Sequence, residues 1–166
     1  MDNSNYEIID ITRHEAYMAM ALDEAKKAYA MDEVPIGGIR VYKDSIIGRG
    51  YNRRNTDKNP LAHGELIAIK EASDYLGDWR LEACTMYITL EPCPMCAGAI
   101  VQSRIPTIVL GAKNLKSGSA GTLINLLQVD TFNHQVEIID GVMEDTCKDM
   151  LQQFFRELRE KKKASD

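Results

Sequence analysis

Thr85-Met86-Tyr87-Ile88-Thr89-Leu90-Glu91-Pro92-Cys93-Pro94-Met95-Cys96-Ala97-Gly98-Ala99-Ile100 is the stretch on which the fold turns. Residues 85–90 read as a strand. Residues 94–103 read as a helix, since proline is well tolerated at the first helical position. The strand therefore feeds the helix through a turn that holds Cys93, with proline on both sides of it. Cys93 and Cys96 fall at the helix start, where free backbone N–H groups and the positive end of the dipole favour thiolate over thiol.

The flanking segments follow the same alternation, which predicts α/β architecture. Thr12, with Glu15 three residues on, resembles a capping box that opens a first helix. Met18, Ala21, Leu22, Ala25, Ala28 and Tyr29 recur at helical spacing, and Pro35 lies beyond the end. Residues 36–42 and 46–51 read as two strands around a Lys43-Asp44-Ser45 turn. Residues 63–76 fit a second helix, stopped by Gly77. Beyond the cysteines, residues 108–111 read as a short buried strand, 113–121 as a polar Gly-containing loop and 136–139 as another strand. Met143, Cys147, Met150, Leu151, Phe154 and Leu158 form an apolar stripe on a last helix. The tail from 161 to 166 is expected to fray.

A chain of 166 residues is expected to form one domain, 1–166. Its apolar and charged fractions, 45% and 27%, are those of a soluble globular protein, and no apolar run is long enough for a membrane span. The polar start Met1-Asp2-Asn3-Ser4-Asn5 has no signal-peptide core, so a cytoplasmic location is expected. Thiols stay reduced there, which favours metal binding over disulfides. The net charge of −5 excludes a general positive coat but not a local basic footprint. Candidate footprints are Arg49, Arg53, Arg54 and Lys58; Lys113 and Lys116; and Arg156, Arg159 and Lys161, Lys162 and Lys163. Each taken alone also fits a solvated surface.

Upstream of the cysteines stands His63-Gly64-Glu65, also at a helix start. One imidazole and two thiols are what a catalytic zinc needs to keep its fourth position open. Cys-x-x-Cys alone also fits a redox pair or half of a zinc ribbon. His63 and Glu65 are two apart, so on a regular helix they point nearly opposite ways. They serve one pocket only if the helix is just beginning there, as Pro60 permits. Cys84 lies about 20 Å along an extended strand from the motif, too far to share its metal, and Cys147 reads as core.

His-x-Glu followed by Pro-Cys-x-x-Cys is the signature of the zinc-dependent nucleobase deaminases. More narrowly, the chain resembles the bacterial tRNA-specific adenosine deaminases, from about the first helix to Phe154-Phe155-Arg156. The matching stretches are Glu33-Val34-Pro35-Ile36-Gly37, Asp78-Trp79-Arg80-Leu81, residues 86–100, the Gly-rich loop 116–121 and Asn133-His134-Gln135-Val136-Glu137. The resemblance implies a cytidine-deaminase-like three-layer α/β/α fold with a central five-stranded mixed sheet. It implies a homodimer acting on the wobble adenosine of a tRNA anticodon loop, which it converts to inosine. His63, Cys93 and Cys96 would hold one zinc ion per chain. Glu65 would move a proton from water to the base and then to the leaving amine. Asn52 would hydrogen-bond the target base. Val34 and Gly64 would line its pocket, with Asn114, Phe155 and Arg156 toward the RNA. Asn52 also fits a turn asparagine, Trp79 core or interface, and Phe155 core packing.

Two positions depart from the family pattern. Gly64 stands where alanine is usual, and is expected to loosen the turn. Asn114 stands where aspartate is common, and removes a negative charge near the expected path of the RNA backbone; it also fits a residue that only stabilises its loop. The rival readings are a deaminase of a free base or nucleoside, of guanine or cytosine type, and a non-catalytic zinc-binding module. A structural zinc site needs no Glu65 and no open position.

Overall fold

Strand residues that alternate between two apolar sets must be covered on both faces, as residues 85–90 and 107–112 are. The structure, a computed structural model, describes residues 3–165. In chain order it contains α1 (Asn3–Ala30), β1 (Gly37–Tyr42), β2 (Ser45–Tyr51), α2 (Gly64–Leu76), β3 (Thr85–Leu90), α3 (Pro94–Gln102), β4 (Thr107–Ala112), a 3-10 turn (Leu126–Gln128), β5 (Glu137–Ile139) and α4 (Glu144–Ser165). The five strands lie in the order β2-β1-β3-β4-β5. β1 is antiparallel to β2 and to β3, while β3, β4 and β5 run parallel. The sheet is therefore mixed, as expected.

Met86 and Ile88 of β3 and Ile108 and Leu110 of β4 pack with Ala72 of α2 and Ala97 and Ile100 of α3. Tyr87 and Val109, one residue out of phase, pack with Met18, Ala21 and Leu22 of α1 and Cys147 of α4. Two helices cover each face, giving three layers. The hairpin between β1 and β2 turns on Lys43 and Asp44 at φ 46° and 62°. Positive φ at both central residues is type I′ geometry, which suits the strand twist. Ser45 belongs to β2 rather than to the turn.

Two expectations are corrected. α1 begins at Asn3, so Thr12 lies inside the helix instead of capping it. No glycine or proline interrupts residues 3–30, and Thr-x-x-Glu spacing by itself does not start a helix where no breaker precedes it. α4 continues to Ser165 rather than fraying at 161. Lys161 Nζ donates to Asp32 Oδ1 at 2.8 Å, tying that end of α4 to the turn after α1. Among the described residues, no helix is long and apolar enough to cross a membrane.

The topology brings several chain ends to one edge of the sheet. β3 and β4 finish there, α2 and α3 start there, and the antiparallel β1 and β2 contribute Gly37 and Tyr51, which are register partners. An open α/β sheet binds its ligands at the edge where its parallel strands end.

Candidate metal centre and active-site cleft

His63 and Cys93 occupy the same local position on different helices: each is an N-cap. His63 is extended (φ −87°, ψ 143°) before α2, and Cys93 is extended (φ −72°, ψ 173°) before α3. Neither side chain makes the usual capping bond, so both are left to face the cleft. Because His63 precedes the helix, the opposed directions of a regular i, i+2 pair do not apply, and Glu65 shares its pocket.

His63 Nδ1 lies 3.8 Å from Cys93 Sγ and 3.4 Å from Cys96 Sγ. All three candidate ligand atoms fall within 4.8 Å of one another. An imidazole nitrogen and a thiolate on one tetrahedral zinc, at ~2.0 and ~2.3 Å, stand roughly 3.5 Å apart. The spacing and the soft donor set both fit zinc. The hydrogen bond from Cys96 holds the Cys93 thiol down to about 4 against burial, with His63 assisting. The same contact, with burial, pushes Cys96 up. Cys84 and Cys147 are buried in opposite faces of the core and join no such group.

The cleft above these atoms is ≈ 260 Å³, and its walls include Val34, Ile36, Asn52, Gly64, Glu65 and Asn114. Two buried acceptor atoms in it have no hydrogen-bond partner, Glu65 Oε1 and Asn52 Oδ1. Such atoms are costly unless a ligand or water completes them. Burial, foremost, raises the pKa of Glu65. Asn52 follows β2 directly, its backbone N–H bonded to Ile36 O at 3.1 Å.

Gly64 is tighter than expected. A Cβ there would stand 3.1 Å from Gly50 O and Tyr51 Cα and 3.2 Å from Ile36 O. Glycine therefore lets the first turn of α2 close onto the strand ends; an alanine would need that backbone to give by a few tenths of an ångström.

Two acidic residues that spacing does not mark hold the cleft's walls. Glu33, fully buried, accepts from Thr56 N at 2.6 Å and Thr56 Oγ1 at 2.9 Å, joining the Val34 loop to the segment after Asn52. Glu91 accepts from Ala120 N at 2.9 Å, Thr122 N at 3.1 Å, Asn114 N at 3.3 Å and the Thr122 hydroxyl. Burial would raise its pKa, but these donors outweigh burial and hold it below its ordinary value. Glu91 is the peg around which loop 113–121 folds. A Cβ on Gly118 would lie 2.7 Å from its carboxylate. The available signal was the Glu91-Pro92-Cys93 run, which marks a neighbour of the metal motif but not a buried acceptor.

Asn114 turns inward to its own loop. Its Oδ1 accepts from Lys116 N and Ser117 N, both at 3.1 Å, and its Nδ2 donates to Ser117 Oγ at 3.0 Å. A second cleft of ≈ 750 Å³ adjoins the first through Val34, Leu90, Asn114 and Lys116, and Phe155 and Arg156 form its far wall. Phe154 is packed, whereas Phe155 is exposed and meets it edge-on, with centroids 5.5 Å apart. Trp79 is exposed, its ring within reach of Arg80 and Arg104, and takes no part in the cleft.

The basic clusters divide by partner. Arg49 pairs with Glu24, Arg53 with Asp57 and Lys161 with Asp32. Arg54 and Lys116 line the first cleft, and Lys113, Lys116, Arg156 and Arg159 the second. None of those five makes a salt bridge among the described residues, which leaves a cationic rim around the clefts.

Residues 12–159 match the model of the MafB19-like deaminases. Over 155 residues the chain is 54% identical to a tRNA-specific adenosine deaminase of Bacillus subtilis (strain 168), covering 93% of this chain and 96% of that one. A solved structure from work on A-to-I editing by tRNA:A34 deaminases superposes with a TM-score of 0.79 at 35% identity, covering 82% of this chain and 99% of that one. A guanine deaminase from Nitrosomonas europaea superposes at 0.72 with 21% identity, covering 84% and 83%, a likeness of fold alone.

Proposed function

The chain belongs to the MafB19-like deaminase family, with the tRNA-specific adenosine deaminases among its relatives, and from that membership we propose that it hydrolyses adenosine to inosine at the wobble position of a tRNA anticodon. One observation carries the reading: three candidate ligand atoms converge at two helix starts, beside a cleft holding the unpaired acceptors of Glu65 and Asn52.

His63, Cys93 and Cys96 would hold one zinc ion. When bound, zinc supplies a water whose pKa is lowered from about 15.7 toward about 7. Glu65 would take a proton from water and deliver it to the ring nitrogen as the water oxygen bonds to the amino-bearing carbon; it would then carry that oxygen's second proton to the amine, so that the C–N bond breaks, ammonia leaves and the oxygen stays as the ring carbonyl. A carboxyl whose pKa is raised by burial suits this exchange at neutral pH. Asn52 orients the base. Gly64 lets the backbone of the first α2 turn approach it, and Val34 walls the pocket. An anticodon-loop base is single-stranded, so splaying it into the cleft costs little.

The cationic rim with exposed Phe155 supports RNA over a free base, since a base alone needs neither phosphate-binding cations nor a second cleft. Phe155 and Arg156 would meet the nucleotides beside the target, and Asn114 would shape the wall between the clefts. We read 1–166 as one domain working in the cytoplasm as a homodimer. Phe132, exposed in a groove it shares with Gly98, Val101 and Gln102 of α3, supports a second copy covering that side.

The test is incubation with total tRNA and readout of inosine, with free adenosine, guanine and cytidine in parallel. Inosine in tRNA with the free compounds untouched is expected. Efficient turnover of guanine or cytidine, with none of tRNA, would overturn the tRNA assignment.

A further inference from the structure

The face of α4 that lines the second cleft carries Gln152, Phe155, Arg156 and Arg159. These residues recur at i, i+3, i+4 and i+7, the spacing of one helical stripe. Along it an amide comes first, then an aromatic ring, then two guanidinium groups. The amide and the ring stand roughly 4.5 Å apart along the helix axis. That order matches the parts of a single-stranded nucleotide: a base edge takes hydrogen bonds, a base face stacks, and a phosphate takes cations.

The stripe is held firmly. Cys147 and Phe154, on either side of Gln152 in the chain, are buried residues of α4. Farther along, the Tyr29 hydroxyl donates to Glu157, and Lys161 Nζ donates to Asp32 Oδ1, tying the helix to α1 and the turn after it. Side chains on a fixed helix read a ligand more precisely than side chains on a loop.

The cleft's ≈ 750 Å³ falls within the ~300–1,000 Å³ usual for ligand sites. Its apolar lining, including Leu90, Leu151 and Phe155, suits any base. Its cations suit phosphates, which are alike beside every base. Two side-chain amides remain on its walls, those of Asn114 and Gln152. Asn114 engages both its oxygen and its nitrogen within its own loop. The Gln152 side chain makes no hydrogen bond among the described residues, whereas its neighbour Gln153 donates to Glu157 Oε1 at 3.1 Å.

We propose that Gln152 is a specificity-determining residue, which reads the edge of a base adjacent to the target adenosine while Phe155 stacks on that base. The role rests on the tRNA reading given above. An amide has a donor end and an acceptor end in one plane. The base whose edge meets both within reach is favoured, and another base leaves a group unpaired. Arg156 and Arg159 then take phosphates whatever the base.

The test uses the full chain and anticodon stem-loops in which the base on the 5′ side, or on the 3′ side, of the target is varied through all four. The value of kcat/KM for inosine formation is read on each. The parent should show a spread among bases at one of the two neighbours. Gln152→Ala should shrink that spread by ~10-fold or more, the discrimination of one good amide–base pair. Its melting, zinc content and spread at the other neighbour should match the parent's. Gln152→Glu can only accept, so its activity relative to the parent should fall most on uracil, which has no amino group to donate. Arg159→Ala should lower kcat/KM on every stem-loop alike and leave the spread intact. A parent indifferent to both neighbours would overturn the role. So would a Gln152→Ala variant that keeps the parent's spread or loses activity equally on all bases, since a merely structural residue acts without regard to the base. If the parent forms no inosine on any stem-loop, the tRNA reading itself fails, and the role of Gln152 falls with it.

Discussion

The candidate metal centre and the loop at 113–121 share one cleft but are held in place by different means. The candidate centre hangs on two helix starts: Cys93 is the N-cap of α3 just after β3, Cys96 lies in the first turn of α3, and His63 is the N-cap that joins the 52–62 segment to α2. The loop hangs on one buried carboxylate, Glu91, which gathers donors from Asn114, Ala120 and Thr122. Removing a centre residue should change chemistry and leave the walls standing. Removing the peg should loosen a wall and leave the chemistry present but poorly addressed.

The largest effect expected is metal loss. Cys93→Ala or Cys96→Ala should abolish stoichiometric zinc, measured by metal analysis, and all deamination with it. Cys84→Ala and Cys147→Ala should retain it, at the stability cost of a small core cavity. Loss of zinc on changing Cys147 would mean the centre reaches across the sheet, which breaks the division of labour.

Next comes Glu65→Gln. The amide fills the same space but cannot carry a proton, so zinc content and melting should stay near the parent's. Inosine formation should fall by ~10²–10⁴-fold, the range for a positioned acid–base group. Substantial residual activity would remove Glu65 from the chemistry.

Glu91→Gln separates the two regions directly. The amide replaces a charged acceptor of several hydrogen bonds, each worth ~1.5–3 kcal/mol to such a group. KM for an anticodon stem-loop should rise about tenfold or more, with zinc content unchanged and kcat less affected. Zinc loss in this variant would show that loop and centre are a single unit.

The difference in support explains what the sequence disclosed. Spacing marked the centre because its ligands are rare residue types at fixed intervals beside helix signals. The apolar alternation of β3 and β4 marked the layers for a similar reason, since burial on both faces leaves few compositions. Glu91 and Glu33 were invisible as structural residues. A charged residue on a strand or loop normally reads as solvated, and only tertiary packing reveals that it is buried. The start of α1 was misplaced because Thr12 and Glu15 imitate a cap within an uninterrupted helix. Gly64 was misread because the crowding of Gly50, Tyr51 and Ile36 arises only when β1, β2 and α2 assemble.

The rim should respond to salt where the centre does not. Binding of tRNA should weaken steeply with salt, and Lys116→Ala or Arg156→Ala should each lower the log–log slope by about 0.7–0.9. Zinc content and melting should not move. A slope identical to the parent's in both variants would take the phosphate path off this rim.

Asn114→Asp is expected to do least, and it asks where the rim ends and the loop begins. One way for an aspartate in this position to disfavour a deoxyribose strand is to repel a poorly placed phosphate and to accept from a ribose 2′-hydroxyl. The geometry points elsewhere. Oδ1 already serves Lys116 N and Ser117 N, and Nδ2 serves Ser117 Oγ. A carboxylate would keep both backbone bonds, and the Ser117 hydroxyl can rotate to donate to the other oxygen. The loop should therefore stand, with one extra negative charge at its surface. That charge acts on phosphates of either strand type, so activity should fall by a similar, few-fold factor on an anticodon stem-loop made as RNA or as DNA. The ratio of the two activities should stay within about twofold of the parent's, because a 0.4 kcal/mol difference is all that such a factor represents. If DNA activity drops far more than RNA activity, the residue at 114 reads the sugar, and the wall between the clefts belongs to the recognition surface rather than to the loop's own architecture.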